Sequence, residues 1–376
     1  MPLTVGVLKE SHEGETRVAL TPEITGKLQK IGASVIMERG AGEGSKILDD
    51  DYKGVKFADV NGVLQGCELL LTVQPPGTST VNGLQDGATV AGIMHGHLHA
   101  DLVRALQNKK HTGFAMELIP RISRAQSMDV LSSQAAAAGY EAVLIGALTL
   151  DKFFPMLTTA AGTIRPAQVL IIGAGVAGLQ AIATARRLGA IVKGYDVRGA
   201  TKEQVESLGA KFVETGVSAE GEGGYARELT DDEKAQQQTA LDKEIAQSDV
   251  VITTAAIPGR AAPRIISAAA VQAMKPGAVI VDIAAETGGN CELTVAGETV
   301  EKHHVKIVGP VNLAARLGRH ASEMYARNLF NFISPAIKEG ELVIDWEDEV
   351  FAKSALTRNG EIVHIPTREK IEGGAA

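Results

Sequence analysis

The chain has 376 residues, of which 45% are hydrophobic and 22% are charged, and its formal net charge is −8. These values are typical of a globular protein long enough for two domains, and they exclude a disordered or fibrous chain. The negative balance argues against a nucleic-acid binder, because phosphate backbones attract an excess of lysine and arginine. Cys67 and Cys291 are far apart and fit neither a disulfide framework nor a zinc site.

The N-terminal stretch MPLTVGVLKE has neither the cationic start nor the apolar core of a signal peptide. No apolar run is long enough to cross a bilayer without charged residues. We therefore expect neither a secretory leader nor a membrane-spanning segment.

The first 130 or so residues alternate short apolar runs with helical patterns. One helix is predicted in TPEITGKLQKIG, with Thr21 as its N-cap, and another in ADLVRALQNK. The predicted strands are LTVGVLKE, ASVIMERG, CELLLTVQPP, ATVAGIMHG and HTGFAMEL. Alternating strands and helices predict a parallel, doubly wound sheet.

The pattern changes at Ser132. The proline-free run SSQAAAAGYEAVLIGALTLDKFF predicts one long helix, capped by Ser132 or Ser133. A second alternating block extends from AQVLIIGAG to KIVGPVNL, and a second long helix is predicted in GRHASEMYARNLFNFISPAI. The tail, 341–376, is predicted to form short strands and turns.

The predicted fold class is α/β, with two doubly wound parallel-sheet (Rossmann-like) domains joined by the two long helices. The predicted domains are a discontinuous N-terminal domain, 1–132 plus 320–376, and a dinucleotide-binding domain, 133–319.

The most informative run is QVLIIGAGVAGLQAIATARRLGAIVKGYD. An apolar strand is followed by the G-x-G-x-x-G fingerprint, which consists of Gly173, Gly175 and Gly178, and then by a helix. The glycines allow a tight turn, close approach of the backbone to a pyrophosphate, and close packing of the helix on the strand. The helix start, with Val176 and Ala177, would offer free N–H groups to phosphates.

Asp196 ends the next predicted strand, at close to the ~20-residue interval expected for a carboxylate that holds the adenosine ribose. A carboxylate there repels a 2′-phosphate, which favours NAD(H) over NADP(H). The neighbouring Val197 and Arg198 belong to the same turn, and an arginine can instead accept that phosphate. A glycine-rich turn that binds nothing is the alternative interpretation.

Two later strands also end in loops at the edge of the sheet where ligands bind. We expect Ala256, Ile257 and Pro258 in one loop, and 286–290 in the other, to line the nucleotide site. The polar, glycine-rich segment 215–238 is predicted to be a functional lid anchored by Tyr225, beside Gly224, or else a surface loop. In HGHLH, the alternate spacing of His95, His97 and His99 suggests one face of a strand, but a strand ending in a polar turn is the better interpretation.

RISRAQSMDVLSSQ, residues 121–134, concentrates polar side chains where the first long helix begins. It contains no metal-ligand spacing, no nucleophile beside a base and no phosphate loop. On its residues alone the stretch has no assigned chemistry.

Several long motifs carry a resemblance to a known family. The chain resembles the NAD(H)-binding component of proton-translocating nicotinamide nucleotide transhydrogenase, in the form of the separate soluble alpha-1 subunit, and is related to alanine dehydrogenase. The motifs are RVALTP (17–22), MELIPRISRAQSMDVLSSQ (116–134), GAGVAGLQAIATARRLGA (173–190), ATKEQVESLG (200–209), GGYARE (223–228) and ETGGNCELT (286–294).

This resemblance implies an NAD(P)+ transhydrogenase subunit of the Si-specific/Re-specific, proton-translocating type. The nicotinamide of NAD(H) would be held by Arg121, Gln126, Asp129 and Ser132, with Tyr225 closing over it. Direct hydride transfer needs only that one ring be oriented against another and that water be excluded. Whether Arg121 meets the nucleotide or an internal carboxylate such as Asp129 is left open.

The resemblance also implies partners: an NADP(H)-binding component, a membrane-spanning proton-translocating subunit, and a second copy in a homodimer. The chain would then be cytoplasmic and attached peripherally to the membrane through those subunits.

Two other functions are compatible with parts of the pattern. An alanine-dehydrogenase-like oxidoreductase would share RVALTP and the fingerprint, but it requires a lysine where Gln74 stands and an aspartate where Glu286 stands. Arg17 and His97 remain of its substrate-binding set. The other alternative is a non-catalytic NAD-binding module.

Overall fold

The computed structural model describes residues 2–216, 230–256 and 261–373. The chain divides into two compact units. Unit 1 comprises Met1–Gln134 and Ala315–Ala376, and unit 2 comprises Ala135–Ala314. The sequence predicts these divisions at 132/133 and 319/320.

The N-terminal segment of unit 1 alternates strands and helices. The strands are β1 (Thr4–Val7), β2 (Ser34–Glu38), β3 (Lys56–Ala58), β4 (Leu69–Leu71), β5 (Thr89–Gly92) and β6 (Thr112–Ala115). The helices between them are α1 (Pro22–Lys30), α2 (Val60–Gly66), α3 (Thr78–Gly83) and α4 (Ala100–Asn108). Thr21 precedes α1 in extended conformation and Pro22 is its first residue, although the Thr21 hydroxyl makes no capping hydrogen bond.

The 20-residue helix α5 (Val130–Thr149) follows, and the division between the units falls within it. The prediction that Ser132 or Ser133 caps this helix is wrong. The helix begins at Val130 because the carboxylate of Asp129 accepts the backbone N–H of Ser132, which satisfies a first-turn donor. The helix also ends before the predicted 150–154.

Unit 2 contains the second alternating block. Its strands are β7 (Leu157–Thr159), β8 (Gly162–Ile164), β9 (Gln168–Ile172), β10 (Ile191–Tyr195), β11 (Lys211–Phe212), β12 (Val250–Thr253), β13 (Val279–Asp282), β14 (Thr299–Lys302) and β15 (Val305–Val308). Its other helices are α6 (Val176–Arg187), α7 (Lys202–Ser207), α8 (Asp231–Gln247) and α9 (Ala268–Gln272).

The chain then completes unit 1. The second long helix is α10 (Gly318–Ile333), and the tail contains β16 (Ile337–Lys338), β17 (Glu341–Leu342), α11 (Glu349–Ser354), β18 (Ala355–Arg358), β19 (Glu361–Ile362) and α12 (Ile365–Gly373). The prediction of only strands and turns after 341 is therefore wrong for α11 and α12. Asp348 starts α11 by accepting the N–H of Val350.

The predicted α/β class with parallel-sheet, Rossmann-like units is confirmed. The sheet of unit 1 has the order β19-β18-β6-β5-β4-β1-β2-β3, and that of unit 2 has the order β11-β10-β9-β12-β13-β15-β14. Pairing is parallel except at one edge of each sheet, where β18 and β19 or β14 run antiparallel. In both sheets the strand order reverses beside the first strand of the unit's parallel series.

The sheet of unit 2 is buried on both faces, which explains its continuous apolar strands. Along β9, Val169 and Ile171 pack with α6 on one face, and Leu170 and Ile172 pack with α8 and α9 on the other. Such a sheet presents its polar loops at the carboxyl ends of the strands.

The predicted lid, 215–238, is partly helical. Residues from Asp231 onward belong to α8, which starts with a capping box between Thr230 and Glu233. The TDDE spacing is a sequence signal for such a start. Tyr225 and Gly224 lie outside the described residues. In the described ranges, none of the helices combines the length and the apolar character that a membrane crossing requires.

Candidate nucleotide-binding site

The glycine fingerprint of unit 2 forms the turn between β9 and α6. Gly173 has a φ of 101°, a left-handed conformation that favours glycine. A Cβ on Gly178 would lie 1.8 Å from the carbonyl oxygen of Gly173, so only glycine permits this close packing of α6 on the turn. A Cβ on Gly175 would meet nothing within 4 Å, so this residue faces open space.

Helix α6 begins at Val176, directly after this open position. The first N–H groups of a helix have no intrahelical partner, and the helix dipole makes that end favourable for negative charge. Val176 is exposed and Ala177 is partly exposed. The turn can therefore take a phosphate-containing ligand against its backbone.

Asp196, directly after β10, is tied to the same turn. Its Oδ2 accepts the N–H of Ala174 at 2.7 Å. Its side chain also forms a two-point ion pair with Arg198, through Nε at 2.9 Å and Nη2 at 3.0 Å. Burial raises the pKa of Asp196, but the Arg198 guanidinium and the backbone N–H groups outweigh it and hold the pKa below its usual range. Val197, between them, is exposed.

Thr254 and Asn290 hold the loops after β12 and β13. The Thr254 hydroxyl donates to the carbonyl of Gly173 at 3.1 Å. The fully buried Asn290 accepts the N–H of Ala255 at 3.0 Å and donates to the carbonyls of Ala255 and Pro263, each at 2.8 Å. The 286–290 loop therefore supports the backbone beside the glycine turn through a buried amide.

Asp282 is an organising residue that sequence reasoning missed. This fully buried carboxylate, at the end of β13, accepts the hydroxyls of Thr253 at 2.9 Å and Thr294 at 2.7 Å. It also accepts the N–H groups of Ala284 and Cys291. The sequence signal was a lone aspartate at the end of the apolar run VIVD.

The remaining residues predicted on these loops fall into two groups. Ala256 and Glu286 are exposed. Ile257 and Pro258 lie outside the described residues, so their predicted role stays a prediction.

In unit 1, the polar stretch 121–134 is anchored from behind. Residues Ser123–Met128 form a 3₁₀ helix. The carbonyl of Ser127 accepts the side-chain amides of Asn328 at 2.8 Å and Asn331 at 3.0 Å, both on α10. Arg124 forms a two-point ion pair with Asp348, at 2.8 and 2.6 Å. These contacts fix the backbone of the segment.

The anchored segment presents Arg121 and Gln126 to solvent. Both are exposed, and within the described ranges neither side chain has a hydrogen-bond or ion-pair partner. Asp129 is instead engaged with Ser132, whose hydroxyl donates to Oδ2 at 2.6 Å. Of the two interpretations left open by the sequence, the internal Arg121–Asp129 pair is therefore not formed in the described structure.

A buried polar network adjoins the first turn of α5. Arg17 pairs with Glu15 at 2.6 Å, and its Nη1 donates to Gln134 at 2.9 Å. Gln74 also donates to Glu15, at 2.8 Å. Burial raises the pKa of Glu15, but the bonds and charge of Arg17 dominate and lower it to about 2. Arg17 is thus a structural link between the loop after β1 and α5.

Glu10 spans the point where the strand order of unit 1 reverses, between β1 and β4. Its carboxylate accepts the N–H groups of Val73 at 2.6 Å and Gln74 at 3.3 Å. Burial raises its pKa to about 7. In unit 2, by contrast, the turn after the corresponding strand faces open space at Gly175.

The three histidines lie beyond β5, which ends at Gly92, and not on one face of a strand. Residues 96–98 form a turn, as expected for a strand ending in a polar turn. Burial, and the nearby charges of His95 and Lys370, lower the pKa of His97.

Comparison with known proteins gives two adjoining family matches. Residues 6–138 match the alanine dehydrogenase/PNT N-terminal domain, and residues 142–365 match the C-terminal domain of the same family. The chain belongs to the alanine dehydrogenase/PNT family.

Within this family the chain is similar to transhydrogenase subunits. It is 46% identical to the separately encoded first portion of NAD(P) transhydrogenase subunit alpha from Rhodospirillum rubrum, over 96% of this chain and 98% of the relative. The corresponding protein from Rickettsia prowazekii is 44% identical, over 98% of each chain. The transhydrogenase crystal structure from Sinorhizobium meliloti is 42% identical and has a TM-score of 0.85, over 96% of this chain and 99% of that one.

Alanine dehydrogenases of the family are more distant. The enzyme of Mycolicibacterium smegmatis is 28% identical over 96% of this chain and 95% of the relative. An L-alanine dehydrogenase structure with 23% identity and a TM-score of 0.80, over the whole of both chains, shares the fold. The resemblance to the transhydrogenase component, drawn from the motifs, is confirmed.

Proposed function

We propose that this chain is the NAD(H)-binding component of a proton-translocating transhydrogenase. It would exchange a hydride directly with NADP(H) held on a partner subunit, and a membrane-spanning subunit would couple this exchange to proton translocation. The proposal includes a homodimer and peripheral attachment to the cytoplasmic face of the membrane through those partners.

The observation that carries the proposal is the open face of the glycine turn. Gly175 has room for a ligand at its Cβ position, directly before the N-terminus of the 12-residue helix α6. A pyrophosphate fits this arrangement, since backbone N–H groups and the helix dipole both favour it. Asp196 lies beside the turn, and a carboxylate there suits a ribose with free hydroxyls, which favours NAD(H).

In the proposed reaction, bound NAD(H) supplies the carbon that gives or takes the hydride. Arg121 and Gln126 would orient the nicotinamide, because they are exposed donors on an anchored segment and have no described partner. Asp129 would hold the Ser132 hydroxyl in place. This set can position a ring but contains no acid/base pair, which is what direct transfer between two nicotinamides needs. Tyr225, outside the described residues, keeps its proposed role in closure.

Gln74 favours the transhydrogenase function over an amino-acid dehydrogenase. An amino-acid dehydrogenase requires a cationic clamp and an acid/base group for imine chemistry. At the position where it would carry a lysine, this chain has a neutral amide that donates to Glu15.

A mixing assay tests the proposal. The purified chain is combined with an NADP(H)-binding transhydrogenase component, NADPH and an NAD analogue, and reduction of the analogue is followed. We expect reduction that requires both proteins. If the chain binds NADH but supports no transfer, it is a binding module. If it oxidises NADH alone with pyruvate and ammonia, it is an alanine dehydrogenase, and either result rejects the proposal.

A further inference from the structure

The carboxylate of Asp196 is saturated by donors of its own chain. Oδ1 accepts the backbone N–H of Arg198 and its Nε–H, both at 2.9 Å. Oδ2 accepts the N–H of Ala174 at 2.7 Å and Nη2 of Arg198 at 3.0 Å. A carboxylate offers about four lone-pair positions, so these four donors leave none for a ribose diol.

The donors differ in how easily they can leave. The two backbone N–H groups are fixed by the turns that contain them. The Arg198 side chain, in contrast, is 48% exposed, whereas that of Asp196 is only 7% exposed. The guanidinium is thus the mobile donor, and its removal would free one position on each oxygen.

Space for a displaced side chain lies next to the pair. A depression of about 480 Å³ is lined by Gly199, Ala200, Lys202, Glu203, Glu206 and Ser207. Its two glutamates could receive a guanidinium that has left Asp196.

We infer that the Asp196–Arg198 pair, rather than Asp196 alone, determines which dinucleotide the proposed site accepts. This inference rests on the proposed function. A dinucleotide with free ribose hydroxyls must displace the Arg198 side chain to reach Asp196. A 2′-phosphate would instead draw the same guanidinium toward itself, since guanidinium and phosphate form two-point, charge-assisted contacts. Arg198 therefore weakens NADH binding and reduces the discrimination against NADPH.

Two substitutions separate the partners. Arg198→Met removes the competing donor and leaves the carboxylate. Asp196→Asn removes the charge that holds Arg198, while its amide oxygen can still accept the N–H of Ala174. Arg187→Met, in the last turn of α6 and exposed, is the matched control for loss of an arginine.

Calorimetric titration of each full-length variant with NADH and with NADPH gives the ratio of the two dissociation constants. We expect Arg198→Met to tighten NADH binding and to shift the ratio toward NADH by about tenfold, the value of one charged hydrogen bond. Asp196→Asn should shift the ratio toward NADPH, and Arg187→Met should leave it unchanged. Thermal unfolding of each variant verifies that it is folded.

An unchanged ratio in folded Arg198→Met would overturn the inference while leaving the proposed function intact. Weaker binding of both dinucleotides by the same factor would also overturn it, because Arg198 would then only contact a portion that they share. If the unsubstituted protein bound neither dinucleotide, both the proposed function and this inference would be rejected.

Discussion

Asp129 and Ser132 are hydrogen-bond partners at the start of α5. The carboxylate of Asp129 accepts the backbone N–H of Ser132 at 2.9 Å and the hydroxyl of Ser132 at 2.6 Å. One aspartate therefore both caps the helix and orients a hydroxyl proposed to serve the nicotinamide. The two effects can be separated by substitution.

Asp129→Ala should lower the free energy of unfolding by about 1 kcal/mol, because it removes the cap of the first turn. Ser132→Ala should cost less, since its backbone N–H still meets the carboxylate. Urea unfolding of both variants measures the difference. If Ser132→Ala were the more destabilising of the two, the hydroxyl and not the cap would dominate. Any loss of hydride transfer in a fully stable Ser132→Ala protein then reports on the hydroxyl itself.

Gln126→Asn should slow hydride transfer far more than it weakens NADH binding. The side chain is exposed and has no described partner, so shortening it leaves the fold intact and withdraws its amide from the ring. Single-turnover transfer in the mixing assay and the dissociation constant for NADH are compared with those of the unsubstituted protein. Equal losses in both quantities would contradict a positioning role.

Gly175→Ala and Gly178→Ala should have opposite consequences. At Gly178 the new methyl would lie 1.8 Å from the Gly173 carbonyl, so the variant should lose several kcal/mol of stability or fail to fold. At Gly175 the methyl has open space and an ordinary negative φ, so stability should change by less than about 1 kcal/mol. NADH affinity should nevertheless fall at least tenfold if the pyrophosphate approaches there. Unchanged affinity in folded Gly175→Ala would locate the ligand elsewhere.

Glu10→Gln should remove a pH dependence of stability. Burial raises the pKa of Glu10 from 4.5 to about 7, so the folded state holds the proton more tightly than the unfolded state. This contribution is fully present below pH 4.5 and is lost as the pH rises through about 7, and it amounts to at most about 3 kcal/mol. Urea unfolding between pH 4 and 8 should show a smaller decline in the variant. The exposed Glu13→Gln, as control, should keep the full decline.

The β9–Gly173–α6 turn illustrates what the residues predicted well. The apolar strand, the three glycines and the uninterrupted helix each impose a local geometry, and the structure has that geometry. The start of α5 illustrates the opposite. Both serines were plausible caps by residue type, but the backbone placed Asp129 at the cap position instead.

Local chemistry in the sequence by itself determined the two-unit α/β class, the glycine turn and the family, because periodicity, glycine conformational freedom and motif spacing all act over short stretches of chain. Only the tertiary structure decided which polar side chains are already engaged. Arg124 is paired with Asp348 and Arg198 with Asp196, whereas Arg121 and Gln126 remain without described partners. A residue type states which bonds a side chain can form, but the partner is chosen by elements that fold beside it, and Asp348 is far from Arg124 in the sequence.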